Sequence, residues 1–202
     1  MRSPANILEE VRICMHDYRI RDFLFWSDIF NLDRVWVMEL CRDILASGLR
    51  FTWATNTRPD TIDLGMARAL RHAGCELVSV GVESGSQEIL DRMGKKTSLD
   101  DIRETFRILK EAGLKTFAYY IIGLPWDTTK TVDDTIRFAI ELDSDYANFF
   151  TATAFPGTAF FDFAMERGLF DPSAAPSSTY QGGIGGVAQG RSRASSGPWF
   201  DR

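Results

Sequence analysis

HAGCELVSVGVESGSQEILDRMGKKTSLDDIRETFRIL, residues 72–109, holds one full turn of the pattern that decides the fold. Gly74 closes a helical stretch, because glycine takes the left-handed conformation of a helix C-cap without a steric penalty. Residues 76–82 follow as a short valine-rich run, which reads as a strand. Ser98 and Asp101 then stand three residues apart as a capping box. Leu99, Ile102, Phe106 and Leu109 recur at three- and four-residue steps, which predicts a helix with one apolar face turned to a sheet.

The same unit repeats on both sides. Strand candidates occupy 22–27, 50–55, 115–122 and 146–153, each with a helix candidate behind it. Gly48 in Ala46-Ser47-Gly48-Leu49 and Gly113 in Glu111-Ala112-Gly113-Leu114 sit just before strands, as Gly74 does. Pro4, with Ile7, Leu8, Val11 and Met15 behind it, predicts an N-terminal helix. The resulting order, helix and strand in strict alternation, implies a parallel sheet with right-handed crossovers. The expected fold class is therefore α/β, a partial (β/α) barrel of parallel strands, with an open doubly wound sheet as the alternative. A barrel normally opens on a strand, so its first strand is expected upstream of Met1. After Leu169 the periodicity ends in a Ser-, Gly-, Ala- and Pro-rich stretch. The expected organisation is a partial barrel over 1–170 and an unpacked tail over 171–202.

With 202 residues, 45% of them hydrophobic, the chain can bury a core of its own. A net charge of −5 without long runs of either sign gives no footprint for nucleic acid or an anionic membrane. No apolar stretch reaches the roughly 18 residues of a membrane span, and the N-terminus lacks a secretory core, so a cytoplasmic protein is expected. Cys14, Cys41 and Cys75 have no close pair, and they read as small, partly buried apolar groups rather than as a disulfide, zinc or cluster motif. His16 and His72 fall within helices and lack ligand-spaced partners, which disfavours metal binding and a Ser-His-Asp hydrolase alike.

In parallel α/β folds the functional groups gather at the C-terminal ends of the strands. Those ends carry Ser27-Asp28, Thr55-Asn56-Thr57-Arg58, Gly81-Val82-Glu83-Ser84-Gly85, Gly123-Leu124-Pro125-Trp126-Asp127 and Thr153-Ala154-Phe155-Pro156-Gly157-Thr158. Gly81 and Gly85 would let a ligand approach the backbone while Glu83 accepts hydrogen bonds from hydroxyl or ammonium groups, as on a ribose or an amino acid. Arg58 could grip a carboxylate or phosphate, and the turn after Gly123 could offer backbone groups to a flat ring. Each residue also has a structural role open to it: Asp28 and Asp127 as helix caps, Arg58 paired with Asp60, Glu83 capping the turn at Ser86.

The run Val80-Gly81-Val82-Glu83-Ser84-Gly85-Ser86-Gln87-Glu88-Ile89-Leu90-Asp91-Arg92-Met93-Gly94-Lys95 resembles the fourth-strand signature of radical S-adenosylmethionine (SAM) enzymes. It is nearest to the branch that carries a cobalamin-binding domain and to the methylthiotransferases. Ile121-Ile122-Gly123-Leu124-Pro125-Trp126-Asp127-Thr128 resembles that family's fifth-strand turn, with Asp127 where Glu is usual. Phe155-Pro156-Gly157-Thr158 resembles the segment after the sixth strand, and Phe25-Trp26-Ser27-Asp28-Ile29-Phe30 with Arg34 the second-strand segment. The resemblance spans about residues 3–170 and implies a SAM site. Glu83 and Ser84 would lie at the ribose or methionine part, Asp28 near the methionine amino group, and Thr57 or Arg58 near its carboxylate or the substrate. Ile122 and Gly123 would lie near adenine, with Asp127 in the same turn.

The family's C-x-x-x-C-x-x-C loop, whose three thiolates hold a 4Fe–4S cluster, follows the first strand and precedes the helix that here starts near Ser3. Strand and loop are both missing from this sequence, so the chain alone is expected to be inactive. In the family, an electron donor reduces the cluster, SAM is cleaved to a 5′-deoxyadenosyl radical, and a small-molecule or other substrate is attacked; cobalamin would belong to a longer protein. The competing expectations are a non-catalytic remnant that binds a nucleotide or a partner, and an aldolase-like barrel. The latter would need a rim lysine, whereas Lys95, Lys96, Lys110, Lys115 and Lys130 read as loop, helix or strand-start positions.

Overall fold

The computed structural model describes residues 2–27 and 29–168, so Asp28 and the tail from Leu169 onward lie outside the described residues. The chain divides into two compact units at Thr153/Ala154. In the first, α1 (Pro4–Asp17) leads to β1 (Asp22–Phe25), α2 (Arg34–Ser47), β2 (Thr52–Thr57), α3 (Leu64–His72) and β3 (Cys75–Glu83). After β3 come a short α4 (Gln87–Arg92), α5 (Leu99–Glu111), β4 (Lys115–Ile122), α6 (Thr129–Leu142) and β5 (Tyr146–Thr151). The second unit contributes α7 (Ala159–Glu166), capped by Thr158, whose hydroxyl accepts from the Phe161 amide.

All five expected strands form within a few residues of their anticipated limits, and α4 is an extra turn of helix inside the β3–α5 connection. The local signals act as expected. Ser3 caps α1 with Pro4 at its first position, and Ser98 and Asp101 form a reciprocal capping box at α5. Gly48, Gly74 and Gly113 leave their helices with φ of 67°, 88° and 75°.

Every strand pair is parallel, in the order β1-β2-β3-β4-β5. Right-handed crossovers between strands taken in sequence order place all the helices on one face, whereas a doubly wound sheet must reverse its order and use both. Burial agrees: Val78, Val80, Val82, Trp53, Ala118 and Tyr120, alternate residues along their strands, are at most 2% exposed and belong to one core with Leu40, Met66, Leu70, Phe106 and Leu109 of the helices. The opposite face of β2 and β4 is only half-buried. The result is the partial barrel wall expected from the sequence, with β1 and β5 at its edges among the described residues.

Candidate functional site

Because β2, β3 and β4 are adjacent and parallel, their C-terminal ends lie side by side on one rim. The centre of that rim is Glu83. Its φ of 69° is left-handed, a conformation that costs a residue with a Cβ about 1–3 kcal/mol and persists only where the surroundings enforce it. The ladder to β4 slips between Gly81 and Glu83 at the same point. The carboxylate folds back over Gly81, where an added Cβ would stand 2.6 Å from Glu83 Oε1. Lys95 Nζ donates to that oxygen at 2.6 Å and to the Gly81 carbonyl at 3.4 Å. Oε2 remains as an acceptor.

The loop beyond Glu83 is anchored to α6. Thr135 Oγ1 donates to the Thr131 carbonyl at 2.9 Å, so its one proton is committed. The Ser84 hydroxyl, 3.1 Å away, must therefore donate to Thr135, while accepting from the Ser86 amide at 3.1 Å. The Gly85 amide also donates to Thr135 Oγ1, at 3.0 Å. A Cβ on Gly85 would lie 2.6 Å from the Phe138 Cβ and 2.7 Å from the Asp134 carbonyl. The expectation that Gly85 clears space for a ligand is thus corrected: its missing side chain lets the loop sit on α6. Ser84, 1% exposed, has its hydroxyl engaged inside that same contact.

The neighbouring ends are occupied internally. Asp127 Oδ2 accepts from the amides of Gly123 and Leu124, each at 2.9 Å, and Oδ1 accepts from the Thr131 hydroxyl at 2.8 Å. Asp127 thus braces the turn after β4, and Thr128 is the cap of α6. The Gly123 donor expected to be open to a ring is spent on this brace, and the Ile122 carbonyl accepts from the Ala152 amide at 2.8 Å. Arg58 takes the structural role anticipated for it, with a two-point pair to Asp60 at 3.0 and 2.9 Å that raises its pKa above the ordinary arginine value. Thr57 is buried and donates to the Arg58 carbonyl. Of the expected group, the rim therefore brings Thr57, Arg58, Glu83, Ser84, Ile122, Gly123 and Asp127 to adjacent strand ends, while Asp28 lies outside the described residues.

Three residues were not assigned from the sequence. Lys95 is on a loop, as expected, but its ammonium reaches the rim. Its signal was Gly94, which ends α4 and turns the chain back. Asn56 ties the ends of β1 and β2 together, donating to the Ser27 carbonyl at 2.5 Å. Thr135 lies fifty residues from the loop it holds, and nothing local announces it.

The cysteines behave as expected of apolar fillers. Cys14 is half-buried on α1, and Cys41 and Cys75 are buried. Desolvation pushes the Cys41 thiol up to about 12 and raises that of Cys75 as well, so neither is a thiolate near neutral pH. Among the described residues no group of three or more His, Cys, Asp or Glu side chains could hold a metal ion. These residues do not fit an iron–sulfur cluster. Among them, too, no helix is long and apolar enough to cross a membrane.

A family model of the Radical SAM superfamily matches residues 1–139. The chain is 33% identical over 167 residues to an uncharacterized methyltransferase of Pyrococcus horikoshii, covering 83% of this chain and 36% of that protein. It is 29% identical to the anaerobic magnesium-protoporphyrin IX monomethyl ester cyclase of Cereibacter sphaeroides, covering 80% of this chain and 27% of that one. Its fold matches the radical SAM methyltransferase TsrM of Kitasatospora setae, solved with cobalamin and a 4Fe–4S cluster, at a TM-score of 0.73 and 22% identity, over 83% of this chain and 32% of that one. The chain thus spans about a third of the length of the relatives it matches.

Proposed function

The chain belongs to the radical SAM superfamily, and from that premise we propose that it forms the SAM-binding wall of a radical SAM enzyme of the cobalamin-associated branch. The observation that carries this reading is Glu83, a strained, left-handed residue at the mouth of the sheet with a free carboxylate oxygen. In this reading Glu83 accepts hydrogen bonds from the ribose hydroxyls or the ammonium of SAM. Ile122 and Gly123 flank the adenine, with Asp127 fixing the turn that carries them. Ser84 holds the Glu83 loop on α6 instead of touching the ligand. Asp28 serves the methionine amino group, and Thr57 and Arg58 serve its carboxylate or the substrate, Arg58 exchanging Asp60 for that anion. A cluster, when bound in the family, supplies the electron that cleaves SAM. No step through it is assigned to this chain, whose cysteines do not fit it, and no residue here is assigned to cobalamin. Support for a methyl-transfer or ring-forming reaction comes from the two relatives named above, and the electron donor belongs to the whole enzyme.

The test is calorimetric. S-adenosylhomocysteine should bind the 202-residue chain, and Glu83→Ala should weaken binding about tenfold or more, the value of one hydrogen bond to a charged group. Asp91→Ala, on α4 and bonded to Gln87, should leave affinity within about twofold. Equal effects of the two substitutions would sink the reading. Anaerobic treatment with iron and sulfide should leave the chain without a lasting band at ~400 nm, and about four irons per chain after desalting would overturn that part.

A further inference from the structure

We propose that the end of the sheet opposite Glu83 carries a second ligand site, an anion cleft that takes the phosphate of a small organic phosphate. A cleft of about 520 Å³ opens where the chain enters β1, β2 and β3. Sites for small molecules have volumes of roughly 300–1,000 Å³. Its lining includes Arg21 from the turn between α1 and β1, Arg50 from the turn between α2 and β2, and His72 at the end of α3. The pairing of Asp22 with Thr52 sets the first two turns side by side. The Thr52 amide donates to the Arg21 carbonyl at 2.9 Å, and Arg21 Nη1 reaches the Arg50 carbonyl at 3.4 Å. Because β2 runs for six residues from Thr52 to Thr57, roughly 17 Å of strand separates this cleft from the rim. The two sites are therefore distinct, and this one does not depend on the SAM-binding reading.

Charge distinguishes the cleft from the rest of the surface. Arg34, Arg58, Arg103 and Arg107 are each held by a carboxylate. Among the described residues no carboxylate stands within ion-pair distance of Arg21 or Arg50, and Arg21 spends one of its five N–H groups on the Arg50 carbonyl. Asp22, the one carboxylate among the described residues of the lining, accepts from the Thr52 hydroxyl. Two guanidinium groups against one carboxylate leave an excess of positive charge in a chain whose net charge is −5. Guanidinium forks match the oxygens of a phosphate. Leu45, Leu49 and Phe51 add apolar surface to the same lining, which a bare phosphate would leave unused. A nucleic-acid surface would need the positive field to continue along the neighbouring helices, but Arg42 of α2 is paired with Asp43 and Arg68 of α3 with Glu111.

The experiment is calorimetry on the full chain with phenyl phosphate, which has no adenine to occupy the rim, and with inorganic phosphate, each variant being checked by thermal unfolding. Phenyl phosphate should bind saturably and about threefold or more tightly than inorganic phosphate, since its ring covers part of the apolar lining. Arg21→Gln and Arg50→Gln should each weaken it about tenfold or more, the value of one charge-assisted hydrogen bond. Arg71→Gln is the control for diffuse charge and should stay within about twofold, because that guanidinium turns to another side, where a Cβ on Gly113 would lie 4.0 Å from its Nε. No saturable binding by the wild-type chain, or a loss in Arg71→Gln as large as in Arg21→Gln, would overturn the site. Tighter binding of inorganic phosphate would overturn the organic ligand. Binding of a short single-stranded RNA that exceeds that of phenyl phosphate and needs Arg21 and Arg50 would overturn the small-molecule assignment. If a glutamine variant fails to fold, Arg50→Lys decides: it keeps the charge without the fork and should weaken binding about threefold, and wild-type affinity in it would overturn the proposal.

Discussion

The centre of the sheet and its last strand are both rich in apolar residues and meet opposite fates. In β3, Val78, Val80 and Val82 are fully buried, and the strand has a hydrogen-bonded neighbour on either side. In β5 every residue is exposed, with Tyr146 at 52% and Phe150 at 48%, and among the described residues its pairing is to β4 alone. Apolar character does not separate them, since β5 holds three aromatic residues in six. The difference lies in neighbours: helices cover one face of β3, while β5 is held mainly by its ladder, by the stacking of Phe149 on Tyr120 at 4.7 Å and by the contact of Phe150 with Tyr119 at 5.7 Å. The left-handed glutamate at the end of β3 rests on a strand with a hydrogen-bonded neighbour on either side.

The sharpest way to break this contrast is to cut into the centre. Trp53 of β2 is 2% exposed, donates its indole N–H to the Ala73 carbonyl at 2.8 Å and packs on Phe25 and Phe30. Trp53→Ala should destabilise the chain by about 3–5 kcal/mol in chemical denaturation. A loss below about 1 kcal/mol would show that the centre is no better packed than the edge.

A smaller effect should appear where β5 begins. Asp145 accepts from the Thr116 amide at 2.8 Å and from its hydroxyl at 3.1 Å, and these bonds hold its carboxyl below the ordinary value of 3.8. A carboxyl depressed in the folded state contributes stability above its unfolded pKa and loses it as the pH falls through the folded one. Stability should therefore decline below about pH 4, and Asp145→Asn should flatten part of that decline while lowering stability at pH 7. An unchanged pH profile would mean that hydrogen bonds do not hold the start of β5.

The smallest effect is expected on the exposed strand itself. Phe150→Ser should change stability by no more than about 0.5–1 kcal/mol and should reduce concentration-dependent association, because it removes apolar surface from an open edge. A loss as large as that of Trp53→Ala would erase the contrast.

Much of this was legible along the chain. Gly48, Gly74 and Gly113, the Ser98–Asp101 box and the spacing of Leu99, Ile102, Phe106 and Leu109 act within one or two helical turns, so local rules located them. The residues at the strand ends were legible for the same reason, since a parallel sheet collects its loops on one rim. Their partners were not. Arg58 turning to Asp60 was one of two local options, and only packing chose between them. Lys95 looked idle because its partner Glu83 lies twelve positions back across a helix. Thr135 carried no mark, because its hydroxyl matters only when α6 lies against the loop after β3.

The sequence by itself determined the alternation of helix and strand, the helix ends and the set of polar groups that would share the rim, because each depends on contacts between residues near in the chain. The tertiary structure alone decided which of those groups are tied to protein partners and which keep an acceptor free, that Gly85 serves packing and Gly81 clearance, and that β5 stays exposed while β3 is sealed. Those outcomes depend on which surfaces meet once the strands are side by side, and no local pattern encodes a meeting between residues fifty positions apart.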